Sequence, residues 1–193
     1  MRAFLAVELP PAIQTRMAEV QRRFAEAGAD VKWVEPRNLH VTVRFLGEID
    51  EPQRRTVEAL AALVASRTAP LPLRLSRVGA FPSLRAPRVV WVGLSEDREA
   101  VARIAQAIER EGTAIGLRRE ERPFSPHLTL GRVRSSRHLA ALTQRLSTSE
   151  WRPPPPWRVS SLTLYQSVLG ATGPTYTVLG EFALGAIRRR GGA

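Results

Sequence analysis

The chain has 193 residues, a formal net charge of +11 and 44% hydrophobic residues, enough for a folded core and a balance that favours an anionic partner such as RNA. It has no cysteine, which excludes disulfides, thiolate-bound zinc and thiol catalysis. No stretch approaches the roughly 20 apolar residues of a membrane span, and the apolar run Ala3 to Leu9 is too short for a signal-peptide core, so a soluble cytoplasmic protein is expected.

Arg2 to Leu9 reads as a strand bounded by Pro10 and Pro11. Pro11 to Ala27 reads as a helix, with Ile13, Met17, Val20 and Phe24 on one face and Gly28 as its stop. Val31 to Val34 and Asn38 to Leu46 follow as strands. Glu51 to Ala65 is a helix with Pro52 near its start and Val57, Leu60, Leu63 and Val64 as its apolar face. Leu73 to Val78 and Arg88 to Leu94 are strands. Arg98 to Ile115 is a helix, and a short segment near Phe124 precedes a strand from His127 to Val133. A helix from His138 to Leu146 and a stiff extended connector, Arg152 to Pro156, come next. Arg158 to Gln166 and Tyr176 to Leu184 are the closing strands. Residues 186–193 read as a flexible basic tail.

Each half repeats one order: strand, helix, short strand, long strand, helix, strand. The expected fold is α+β, with two similar lobes related by a pseudo-two-fold, each a mainly antiparallel sheet with helices packed outside. The lobes belong to one bilobal domain, with two sheets facing across a central cleft.

The long strand of each half carries the same signature, His40-Val41-Thr42 and His127-Leu128-Thr129. The chain has three histidines, and two of them in this setting is a poor match to chance. Side chains alternate along a strand, so each His shares a face with a Thr about 7 Å away while the apolar residues enter the core. Two such strands offer two imidazoles, which trade protons near neutral pH, and two hydroxyls, which can donate to phosphate oxygens. Metal is not expected, because neither motif has a third ligand beside it. His138 lacks the motif and is expected at the surface.

The sequence resembles the two-histidine phosphoesterases, and more closely the bacterial and archaeal RNA 2′,3′-cyclic phosphodiesterases, also called 2′-5′ RNA ligase-like proteins. The likeness runs from Arg2–Val7 through Trp33–Glu48, Phe81-Pro82, Pro87–Gly93 and Phe124–Arg132 to Gly173–Tyr176. It implies a metal-free, cofactor-free hydrolase acting on RNA that ends in a 2′,3′-cyclic phosphate, tRNA fragments among such RNAs, and leaving a 2′-phosphate. Members of the group have also been assigned 2′-5′ ligation. The protein is expected to act as a monomer. His127 is assigned as base and His40 as acid, although spacing alone does not tell them apart. Thr42 and Thr129 are expected to bind the non-bridging oxygens.

Three further residues are candidates for contact with RNA. Arg44 shares a strand face with His40 and Thr42 by simple alternation, with a solvent-facing role as the alternative. Arg132 follows the family pattern, but alternation puts it on the face away from His127. Phe81 could stack on a base or pack in a loop. Two other classes of function compete: an RNA-binding module without catalysis, and a two-histidine enzyme acting on a small cyclic nucleotide.

Overall fold

The computed structural model describes residues 1–95, 98–121, 123–170 and 173–185; the basic tail lies outside them. The apolar run after Met1 forms β1 (Arg2–Glu8). Pro11, at the first helical position, starts α1 (Pro11–Ala25), which buries the Ile13, Met17, Val20 and Phe24 stripe. β2 (Val31–Trp33) and a 3₁₀ turn at Pro36–Asn38 lead into β3 (His40–Glu48). α2 (Glu51–Ser66) opens on a capping box: the Asp50 carboxylate accepts from the Gln53 N–H at 2.8 Å and the Gln53 side chain accepts from the Asp50 N–H at 2.9 Å. Its buried face holds Val57, Leu60 and Val64, whereas Leu63, expected there, is exposed and Ala61 takes its place.

β4 (Leu71–Leu73) and β5 (Leu75–Phe81) divide what the sequence reads as one strand. β6 (Val89–Leu94), α3 (Arg98–Ala114), β7 (His127–Val133) and α4 (Leu139–Thr148) follow. The last expected pair of strands is three: β8 (Trp157–Val159), β9 (Ser161–Leu169) and β10 (Pro174–Ala183).

Eight strands form one sheet in the order β10-β9-β1-β3-β7-β6-β5, with β2 also paired to β7; β4 and β8 make a small separate ribbon. Every pairing is antiparallel. One face of the sheet carries Leu5, Val7, Val41, Val92, Leu128 and Leu164 into a core shared with all four helices just named. The other face carries the paired histidines. The α+β class, the antiparallel pairing and the packed helices agree with the sequence reading. The division into lobes by halves of the chain does not. β9 and β10, from the C-terminal end, extend the sheet beyond β1, because Leu5 pairs with Arg44 on one edge and with Leu164 on the other. The two lobes are the four-stranded antiparallel groups β10-β9-β1-β3 and β2-β7-β6-β5, which join where the motif strands β3 and β7 meet at the single pair Val41–Leu128.

Candidate active site

β3 and β7 meet at a single registered pair, Val41 with Leu128. Both residues point into the core. Counting one residue outward on each antiparallel strand sets His40 opposite Thr129 and Thr42 opposite His127. The two imidazoles lie diagonally across this quartet, related by the local dyad of the strand pair. All four side chains are partly exposed on the face away from the helices, while Val41, Val43, Leu128 and Leu130 are buried.

The two imidazoles are oriented in the same way. His40 Nδ1 lies 2.7 Å from the carbonyl of Asn38, and His127 Nδ1 lies 2.7 Å from the carbonyl of Ser125. A carbonyl only accepts, so Nδ1 carries the proton in both rings and Nε2 is left for chemistry. His40 Nε2 is 3.1 Å from the Thr42 hydroxyl, within its own motif. Burial first, opposed by the Asn38 carbonyl, then the charge of His127, opposed by Glu8, together bring the His40 imidazole down to about 4. Burial and the charge of Arg132 also lower His127, against the Ser125 carbonyl. Each imidazole is therefore neutral in the free protein at pH 7.

Aromatic side chains fix both rings. Phe4 stacks on His40 at 4.8 Å, and the ring of Tyr176 meets His40 edge-on at 5.3 Å. Tyr165 also stacks on Phe4, at 5.2 Å, with its ring 6.3 Å from His40, and donates its hydroxyl to Glu8. Phe81 stands edge-on to His127 at 5.0 Å and rests against Trp91 at 5.0 Å. Phe81 thus borders the site, whatever base it meets. The sequence reading missed Phe4, Glu8 and Tyr176. Glu8 had a signal, being the one charge in the run Ala3 to Leu9.

Two β-bulges decide where the candidate arginines go. On β3, Ala6 pairs with Thr42 but Leu5 pairs with Arg44, so Val43 is an extra residue. Alternation flips there, and Arg44 shares the helix side with Leu5. Its guanidinium forms a 2.6 Å ion pair with Glu109 of α3, with only 9% of the side chain exposed, and donates to the Arg118 carbonyl. The simple alternation that put Arg44 beside His40 fails at this bulge.

On β7 the effect is the reverse. Trp91 pairs with Thr129 but Val90 pairs with Gly131, so Leu130 is the extra residue. Arg132 therefore returns to the face of His127 and Thr129, where its charge acts on His127 and Tyr176. The carbonyl of Leu130 accepts from the Val34 N–H at 2.8 Å and from the buried Gln21 side chain at 2.8 Å. Gln21 also donates to the Val34 carbonyl at 2.7 Å, so this helix residue holds the bulge in place. Lys32 of β2 is registered directly against Arg132 and shares its face.

His138 is exposed, in the left-handed region (φ 52°) just before α4, apart from the site. Among the described residues, no three His, Cys, Asp or Glu side chains gather as a metal site requires, and no helix is long and apolar enough to cross a membrane. A cavity of about 560 Å³ between the α2–β4 loop and α3, lined by Arg67, Pro70, Glu99 and Arg103, contains none of the quartet.

An antiparallel α+β fold with twinned His-x-Thr strands at its centre defines a class of phosphoesterase. Residues 3–171 match the model of the 2′-5′ RNA ligase superfamily, and the chain belongs to that family. It is 34% identical over 184 residues to a Methanothermobacter thermautotrophicus protein named RNA 2′,3′-cyclic phosphodiesterase, covering 95% of this chain and 99% of that one. An Aeropyrum pernix protein of the same name is 37% identical over 167 residues, covering 86% and 93%. The Thermus thermophilus protein TT0787 superposes with a TM-score of 0.80 at 29% identity, covering 97% of this chain and 100% of that one. E. coli LigT complexed with 3′-AMP gives 0.73 at 27% identity, covering 95% and 97%.

Proposed function

We propose that this protein hydrolyses RNA 2′,3′-cyclic phosphate ends to 2′-phosphates, with His40 and His127 as its acid–base pair. The observation that carries the reading is the diagonal quartet around Val41 and Leu128, in which each imidazole is held through Nδ1, and His40 Nε2 lies 3.1 Å from the Thr42 hydroxyl. The names of the curated relatives support the substrate.

Water attacks phosphorus as the bond to O3′ breaks, with the two oxygens in line on opposite sides of phosphorus. His127 Nε2 takes the proton of the water. His40, protonated at Nε2, gives its proton to O3′. The charges nearby suit these roles: Arg132 favours neutral His127, and Glu8 favours protonated His40. Because burial outweighs Glu8, His40 acquires its proton together with the anionic phosphate. The hydroxyls of Thr42 and Thr129 and the guanidinium of Arg132 bind the non-bridging oxygens. If the 5′-hydroxyl of a second RNA replaces water, the same steps form a 2′-5′ linkage, the chemistry for which the superfamily is named.

Both motif strands come from one chain, which supports a monomer that acts as one bilobal domain. The strands of tRNA fragments that end in a cyclic phosphate fit the basic charge of the chain. The test is product analysis. The protein is incubated with an oligonucleotide ending in a 2′,3′-cyclic phosphate, with a chelator present. The expected product ends in a 2′-phosphate. A bound but intact ring would instead indicate a binding module, and a ring opened only in free nucleotides would indicate a small-molecule enzyme.

A further inference from the structure

Three cross-strand pairs step along the exposed face of β7. By extension from the registered pair Val41–Leu128, Thr42 falls opposite His127 and His40 opposite Thr129; beyond them Lys32 is registered opposite Arg132. Successive rungs on one face of a strand are about 7 Å apart, and the bulge at Leu130 lengthens the last step slightly. The third rung is thus one nucleotide-sized step from the quartet.

That rung sets two positive charges directly opposite each other, an arrangement that is unfavourable unless an anion sits between them. Among the described residues neither forms an ion pair, although the chain contains eighteen carboxylate side chains. Lys32 is also the only lysine in a chain whose other basic residues are all arginine. The wall of this rung is Gly173 and Pro174, at the start of β10. Asn38 Nδ2 donates to the Pro174 carbonyl at 3.2 Å, and a Cβ at Gly173 would lie 3.2 Å from Lys32 Nζ. Gly173, at φ 147°, leaves the ammonium uncovered.

We propose that Lys32 and Arg132 form a second anion subsite that takes the phosphodiester on the 5′ side of the terminal nucleotide. The subsite makes an RNA strand a better substrate than a cyclic mononucleotide. This inference rests on the ring-opening reading above and adds what selects the polymer. Arg132 reaches both phosphates, standing at the second and one rung from the first, whereas Lys32 serves only the second.

The experiment compares kcat/KM for three substrates with the same terminal base: a cyclic mononucleotide with a 5′-hydroxyl, the same nucleotide with a 5′-phosphate, and a short oligonucleotide. In the unaltered protein, the 5′-phosphate alone raises kcat/KM. Lys32→Gln lowers kcat/KM for the oligonucleotide about 10- to 100-fold more than for the 5′-hydroxyl mononucleotide, through KM, as one lost charge-assisted contact requires. Lys32→Arg restores most of that loss. The slope of log KM against log salt for the oligonucleotide falls by about 0.7 in Lys32→Gln, one phosphate contact on a single strand. Equal losses on all three substrates would mean that Lys32 only supports the Gly173–Pro174 turn, and would overturn the proposal. So would a 5′-phosphate without effect on the unaltered protein, a result that needs no variant. No turnover of any ring by the unaltered protein would instead refute the ring-opening reading, and this inference with it.

Discussion

Val41 and Leu128 are the one registered pair, among the described residues, between β3 and β7. The two histidines and two threonines flank them on either side. Because the pair sits on a local dyad, each motif supplies a histidine to one end of the quartet and a threonine to the other. This explains why a single strand junction can present an acid and a base to opposite sides of one phosphorus atom.

The roles of the four residues separate by rate. Replacing His40 or His127 by alanine should lower turnover at least about 10²-fold, the usual cost of a lost proton-transfer partner. Thr42→Val or Thr129→Val should cost about 10-fold, one neutral hydrogen bond to a charged oxygen. The double histidine variant should be little worse than the worse single variant, because the pair acts as a unit. Single-turnover rates on a cyclic-phosphate oligonucleotide, with circular dichroism to confirm the fold, check all of these.

The two arginines should behave in opposite ways. Arg44→Met strands the Glu109 carboxylate against the core side of β3 and should cost about 3 kcal/mol of stability. Arg132→Met should leave stability nearly unchanged and lower kcat/KM about 10- to 100-fold. Chemical denaturation and steady-state kinetics on the two variants make the comparison.

Gln21 is a further test of the bulge. Gln21→Leu removes two hydrogen bonds, at 2.7 and 2.8 Å, from buried backbone carbonyls and should cost about 1–3 kcal/mol. Loss of the Leu130 bulge would turn Arg132 away from His127. Activity of the folded fraction should therefore fall, although Gln21 is on α1 and touches no substrate.

Acid should weaken the fold, and the same lowered imidazoles set where the reaction peaks. The pKa of folded His40 is about 4 against an ordinary 6.5, so the unfolded chain binds more protons between these values. The stabilisation is complete above pH 6.5 and is lost as pH falls toward 4. His127, also lowered, acts in the same direction. Stability measured by urea melts should therefore drop across this window, and His40→Phe should flatten the drop. For catalysis, kcat/KM reports the free protein, so its bell should lie on the acid side of pH 6.5. The bell in kcat should lie at higher pH, because the bound phosphate raises the imidazole that must be protonated.

Much of this site was legible in the sequence because strand alternation is a strong constraint. It put His40 with Thr42 and His127 with Thr129, and the buried Val41 and Leu128 between them agree. Alternation fails wherever one residue is inserted into the pairing. The extra residues Val43 and Leu130 are ordinary apolar strand residues, so nothing local marks them as bulges. They sent Arg44 to the helices and Arg132 to the site. Strand order was also out of reach, since the placement of β9 beside β1 is a long-range choice. Phe4 and Tyr176 were hidden for the same kind of reason, because Phe4 meets His40 only through the β1–β3 pairing and Tyr176 only through β9 beside β1.

The central claim is that His40 and His127 act as acid and base on one phosphate, and changing the leaving group tests it most directly. A 2′,3′-cyclic ring with sulfur in place of O3′ expels a thiolate, which needs no proton. The rates of the His40→Ala and His127→Ala proteins are measured on this ring and on the ordinary one. The account predicts that both variants are inactive on the ordinary ring and that only His40→Ala recovers on the sulfur ring. Ordinary turnover by either folded variant at near the unaltered rate would contradict it.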